Sequence, residues 1–298
     1  MKKLTYILII FTFILSCGVT FSYLPLKVDA RDDLKDNDKK VTLNILTYNK
    51  DIYNLVQLLV NDKHNIKYIV DDNFSLDRID LEKDFKNDIL EADLFIYNGF
   101  ENSNLIKDIN NLIDISKTNS INISRGSYQL TNNYNVDYKE NLNYLLGVNE
   151  YKIALYNIKT AIQEKDFSNR NYYEERYNEI SSEIDKFIIK SKEELKKYDN
   201  YVILTDSDVF DYLFRDLNLK VIKIKEIDNR KEIKEKNIIF IYNNLNTLKE
   251  IQDRYDVKCN YVGLNYSNKY NTLLENINLI VDGIKSSNNS WFLLAYNI

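Results

Sequence analysis

The chain has 298 residues, 44% of them hydrophobic and 29% charged, which is enough apolar material for two domains and too much for a disordered polymer. Lys and Arg number 40 against 45 Asp and Glu, a net charge of −5, so the sequence offers no broad basic surface and nucleic acid is not expected as a partner. With one His and six Gly there is neither a Ser/His/Asp or Cys/His set nor a Gly-rich phosphate loop, and no enzyme is expected.

Met1, Lys2 and Lys3 form a positive start, residues 6–15 (YILIIFTFIL) an apolar stretch, and Ser16, Cys17 and Gly18 follow. A short apolar region ending at a small residue and Cys is the pattern of a bacterial lipoprotein signal, which assigns residues 1–17 to a signal peptide and Cys17 to lipidation. Apolar residues resume over 19–26, so an uncleaved signal anchor stays open as the alternative. Both outcomes put the remainder outside the cytoplasm, at the bacterial cell membrane. The charged run over 27–40 (KVDARDDLKDNDKK) has no apolar period and reads as a solvated tether, 18–40. If Cys17 carries a lipid, Cys259 has no disulfide partner and is expected as a buried free thiol.

From residue 41 strands and helices alternate. Residues 41–46 (VTLNIL), 66–70 and 94–97 read as strands, and 52–60 and 80–91 as amphipathic helices. In EADLFIYNGFE (91–101) four large apolar residues, Leu94 to Tyr97, meet an abrupt Asn98-Gly99. A parallel strand covered on both faces needs such a run, and Asn-Gly permits the sharp turn at its carboxyl end. In the second half 201–205, 221–224, 238–242 and 261–264 read as strands, with helices over 209–217, 245–255 and 270–284. Between the halves, residues 171–198 keep Tyr173, Tyr177, Ile180, Ile184, Phe187, Ile188 and Leu195 on one stripe without Gly or Pro. The expected fold is therefore α/β, two Rossmann-like lobes with parallel-type sheets joined by one long linking helix. The domains are an N-terminal lobe 41–169, the helix 170–198 and a C-terminal lobe 199–298. The single His, His64, falls in the polar turn NDKHN, where an exposed side chain is expected.

Four stretches stand in order: ADLFIYNG (92–99), NYYEERYNEISSEID (171–185), ILTDSDVFDYLFRDLNL (203–219) and NYVGLNYSNKYNTLLENINLIVDGI (260–284). Together they resemble the zinc/manganese-binding lipoproteins that serve ATP-driven metal importers. The resemblance implies an extracytoplasmic solute-binding lipoprotein, a monomer that partners an ABC permease and its ATPase. In that family three His and one carboxylate hold the metal. Carried over, the positions fall on Asp77, Asn143 (in NYLLGVN, 143–149), Ser207 and Asn265, none of which is the family's residue.

Zinc prefers imidazole and thiolate, so a zinc site of the family's kind is not expected. Oxygen donors are plentiful at Asp71, Asp72, Asp77, Asp137, Asp206 and Asp208, with amides at Asn143 and Asn265, and such a set suits Mn²⁺ or another oxygen-preferring divalent ion. Asp206 and Asp208 flank the third position at the end of a strand, although acidic residues there are ordinary helix caps and capping of the helix expected from Val209 is the favoured role for Asp208. Two functions remain: a binding lipoprotein of a metal importer with an altered cleft, or the same scaffold without metal, serving surface interaction or adhesion or binding another solute.

Overall fold

The computed structural model describes residues 41–70, 85–99, 104–131, 140–198, 201–224, 237–246, 248–249 and 259–288. The signal and tether with Cys17, the acidic residues Asp71, Asp72, Asp77 and Asp137, and most of the helix expected over 245–255 lie outside them.

Two four-stranded sheets form, and every pairing in both is parallel. The first contains β1 (Asn44–Asn49), β2 (Asn65–Val70), β3 (Leu94–Tyr97) and β4 (Asn119–Asn122) in the order β2-β1-β3-β4. The second contains β5 (Tyr201–Thr205), β6 (Val221–Lys223), β7 (Asn237–Tyr242) and β8 (Asn260–Gly263) in the order β6-β5-β7-β8. The two orders are the same when read strand for strand, and in each the direction of winding reverses between the two central strands. An open parallel sheet presents a ligand crevice at that reversal, beyond the carboxyl ends of its strands.

Residues Leu94, Phe95 and Ile96 of β3 are buried, and β3 pairs with β1 on one side and β4 on the other, so both faces and both edges are covered. The stop at Asn98-Gly99 has a second cause besides turning. A Cβ on Gly99 would lie 1.8 Å from the amide of Asn122, whose Oδ1 accepts bonds from the N–H and the hydroxyl of Ser124. Glycine lets the exits of β3 and β4 approach each other.

Helix α1 (Lys50–Val60) begins where Asn49 Oδ1 accepts the N–H of Ile52, and it buries Ile52, Leu55, Val56, Leu59 and Val60 on one face. Short α2 (Lys86–Glu91) precedes β3, and α3 (Asn104–Ser116) follows it. Helix α4 (Val148–Lys165) leads through a 3₁₀ turn into α5 (Arg170–Leu195). At 1.5 Å per residue α5 runs about 39 Å. It packs on α1 and α4 beside the first sheet and on the last helix, α7 (Tyr270–Asn288), beside the second. Short α6 (Asp211–Asp216) follows β5.

One hydrophobic core runs without a break from Ile45 and Phe95 through Tyr151, Leu155, Ile180 and Ile184 to Ile203, Ile239 and Ile280. Alternation along the strands puts Val202, Leu204, Ile238 and Phe240 on the other face of the second sheet, in a smaller cluster. Cys259 packs on that cluster as a half-buried free thiol whose pKa burial pushes up. Among the described residues no helix is long and apolar enough to cross a membrane.

Candidate functional site

The carboxyl ends of the two sheets meet at a polar seam. Its centre is Asn141, fully buried, whose Nδ2 donates to the carbonyl of Asp208 at 2.5 Å. Asn141 Oδ1 accepts both the backbone N–H and the Nδ2 of Asn143, each at 3.0 Å. Tyr212 of α6 donates its hydroxyl to the Asn141 carbonyl and accepts the N–H of Leu130, which ties α6 to the chain entering α4.

On the far side Tyr266, in the loop after β8, donates its hydroxyl to Asn143 Oδ1 at 3.0 Å. Two residues on, Asn268 Nδ2 donates to Asp51 Oδ2 at the start of α1 at 2.7 Å. The segments bearing Asn143, Ser207–Asp208 and Asn265–Tyr266 thus share one hydrogen-bond network. Asn265 itself is exposed and faces its own helix, with its N–H donating to Asn276 Oδ1 and its carbonyl accepting from Asn276 Nδ2. Asp77 lies outside the described residues.

The turn after β5 is organised by a lysine. Lys223, at the end of β6 and paired in register with Thr205, is buried at 8% exposure. Its ammonium stands 2.7 Å from the carbonyl of Ser207, 2.9 Å from Asp208 Oδ1 and 2.5 Å from Asp211 Oδ1. The Asp211 carboxyl is raised to about 6, chiefly by burial, against the opposing pull of Lys223. The helix expected from Val209 begins instead at Asp211, with no side-chain cap, and it is Ser207 Oγ that accepts the N–H of Val209. Asp208 is therefore not a helix cap: its carboxylate pairs with Lys223, because a buried carboxylate is held far better by a cation than by one N–H.

A second charged group lies behind the seam. Arg215 bonds Glu150 Oε2 at 2.5 Å and Asp216 Oδ1 at 2.7 Å, and Asp216 also accepts the N–H and the Nδ2 of Asn149. Burial raises the pKa of Glu150, and Arg215 opposes that rise. Gly147 makes room here, since a Cβ on it would lie 2.6 Å from Tyr212 Cβ.

The expectation of an exposed His64 is corrected. The side chain is wholly buried: Nδ1 accepts the N–H of Leu43, and Nε2 meets the hydroxyl of Tyr173 at 2.7 Å. The polar neighbours of His64 in sequence misled, because α5 folds back over the turn and covers it. The ring is a structural tie away from the seam network. Among the described residues no group of three or more His, Cys, Asp or Glu side chains is placed to hold a metal ion. The seam offers oxygen and amide groups, and these do not fit zinc.

Lys223, Asp211, Asn141 and Tyr266 were not singled out from the sequence. Only Lys223 carried a local signal, as a lone charge inside the apolar run VIKI.

Two parallel α/β lobes, one continuous long helix packed against both and a polar seam at the carboxyl ends of both sheets make up a two-lobed solute-binding fold. The sequence profile of the ZnuA family, described as zinc-uptake complex component A, periplasmic, matches residues 45–251, and the chain belongs to that family. No curated protein sequence matches the chain. Among solved structures it is similar to a Mn-bound mutant periplasmic metal binding protein from Candidatus Liberibacter asiaticus, at 20% identity and TM-score 0.62 over 80% of this chain and 98% of that one. The Cd-bound form from the same organism gives 20% identity and TM-score 0.57 over the same shares. A mutant laminin-binding adhesin from Streptococcus agalactiae gives 15% identity and TM-score 0.62 over 81% of this chain and 99% of that one. The fold is that of these metal-binding and adhesin proteins, and the family is a solute-binding one.

Proposed function

We propose that this chain is the extracytoplasmic solute-binding component of an ABC-type metal importer, tethered to the membrane through a lipid on Cys17, with a seam unsuited to zinc. The observation that carries the reading is the hydrogen-bond network joining Asn143, Asp208 and Tyr266 across the carboxyl ends of both sheets. It lies where an α/β fold receives a ligand, and its groups are oxygens and amides. An oxygen-preferring divalent cation such as Mn²⁺ is the solute class that Asn143, Tyr266 and the main-chain carbonyl of Asp208, with Asp77, Ser207, Asn265 and Asp206, would accept. The permease and ATPase of the importer are its partners, and the protein acts as a monomer.

A second reading is favoured by a specific feature. The seam groups already bond one another, and the shared fold includes a protein described as a laminin-binding adhesin. On that reading the scaffold serves surface interaction without metal.

Elemental analysis of the purified full chain, followed by thermal unfolding with Mn²⁺, Ca²⁺ and Zn²⁺, decides between them. Manganese or calcium travelling at a near-equal ratio supports the first reading. A bound ion at a hundred times its Kd adds about 2.7 kcal/mol of stability. Zinc at a near-equal ratio would overturn the proposal, and indifference to all three ions would transfer the weight to the second reading.

A further inference from the structure

We infer that Lys223 determines which cations the seam accepts, its ammonium filling as a tethered internal cation a three-oxygen cradle that would otherwise draw a divalent ion. The inference rests on the reading of the seam as the solute cleft.

An ammonium has three N–H donors, and three oxygens of the single turn 207–211 stand 2.5–2.9 Å from this one. Two carboxylates and a main-chain carbonyl, from positions 208, 211 and 207, form a donor set of the kind that Ca²⁺ or Mn²⁺ takes. The turn sits at the carboxyl end of β5, and it contains Ser207, onto which the resemblance in sequence carries a metal-ligand position. Buried carboxylates require a counter-charge, with Asp208 at 3% side-chain exposure and Asp211 at 19%. Here that charge is covalently attached, at the end of the neighbouring strand β6. A tethered group meets its partners at an effective concentration in about the millimolar range, and free Mn²⁺ or Ca²⁺ has to compete against it. An arriving dication would also be repelled by the ammonium itself until the lysine swung into water. The cradle is thus self-neutralised, and divalent ions are turned away from the carboxylates of Asp208 and Asp211.

The test compares the purified full chain with Lys223→Ala, using MnCl₂ and CaCl₂ in equilibrium dialysis and thermal unfolding. The variant is expected to take up one more equivalent of divalent ion than the wild type. Its midpoint should rise by roughly 5–10 °C at about a hundredfold over Kd, a response the wild type lacks at this cradle. Adding Asp208→Asn and Asp211→Asn to Lys223→Ala should abolish the gain. A folded Lys223→Ala that takes up no more ion than the wild type overturns the inference, as does a gain that survives removal of both carboxylates. A Lys223→Ala chain that folds only when Mn²⁺ or Ca²⁺ is present supports it. If that chain fails to fold with or without the ions, while Lys223→Met with Asp208→Asn and Asp211→Asn folds, the oxygens cannot use a divalent ion and the inference falls. Stoichiometric zinc in the wild type would instead overturn the reading of the cleft, and it leaves the difference between the two chains to be read separately.

Discussion

His64 and Tyr173, 109 residues apart in the chain, meet at 2.7 Å in the interior, and the Tyr173 hydroxyl passes the contact on to Asp166 Oδ2 at 2.6 Å. Because Nδ1 accepts the N–H of Leu43, the neutral ring carries its proton on Nε2 and donates it to the tyrosine oxygen. This relay pins the turn before β2 to the end of α4 and the first turn of α5.

The relay predicts a pH dependence. Burial lowers the His64 pKa below 6.5, with Asp166 pulling the other way and Lys63 and Asp93 nearby. The unfolded ring titrates near 6.5, so above that pH both states are neutral and the full contribution is present. As pH falls from 6.5 through the lower folded-state value, the unfolded chain binds the proton first and stability is lost. The urea midpoint should therefore drop as pH is lowered to about 5, and His64→Gln should flatten that slope. At neutral pH Tyr173→Phe, which leaves Asp166 and the imidazole short of a partner, should cost about 1–3 kcal/mol.

At the seam, burial separates two hydrogen bonds that look alike on paper. Asn141 is fully buried, and its removal strands the Asn143 N–H and leaves the Asp208 carbonyl with the N–H of Asp211 but without its amide donor. Asn141→Ala should lose about 3 kcal/mol by urea unfolding. Tyr266, which bonds Asn143, is 60% exposed, and water can replace that bond. Tyr266→Phe should change stability by no more than about 0.5 kcal/mol.

Behind the seam, Arg215→Met would leave Glu150 and Asp216, each with a side chain 2% exposed, without their cation. A cost of about 3 kcal/mol follows at neutral pH, the lower end for breaking a buried pair because the arginine is itself partly exposed. Burial already raises the Glu150 pKa. Without Arg215 that carboxyl should take up a proton more readily in the folded state than in the unfolded one, so the variant should regain stability as pH falls towards the ordinary carboxylate range. Adding Glu150→Gln should recover much of the loss at neutral pH, which a series of urea midpoints would register.

The strands were legible from the sequence wherever burial on both faces forces an unbroken apolar run: β3 and β5 fall on 94–97 and 201–205 as expected. Helix α3, strand β4 and helix α4 were not singled out, although Ile109 and Ile113, and Tyr151, Leu155, Ile158 and Ile162, keep helical spacing. Strand β4, NSIN, has one apolar residue and exists because β3 pairs with it. Its identity was never a local property.

The alternating apolar pattern by itself determined that this chain folds as two parallel α/β lobes on one long helix, because the period of burial is written in neighbouring residues. Only the tertiary structure decided that His64 is buried, that Asn141 holds the seam, and that Lys223 rather than a helix terminus answers Asp208. Each of those outcomes is a contact between residues far apart in the chain. A charge or an amide looks the same in sequence whether water or a partner completes it, and the difference arises only when the fold takes the water away.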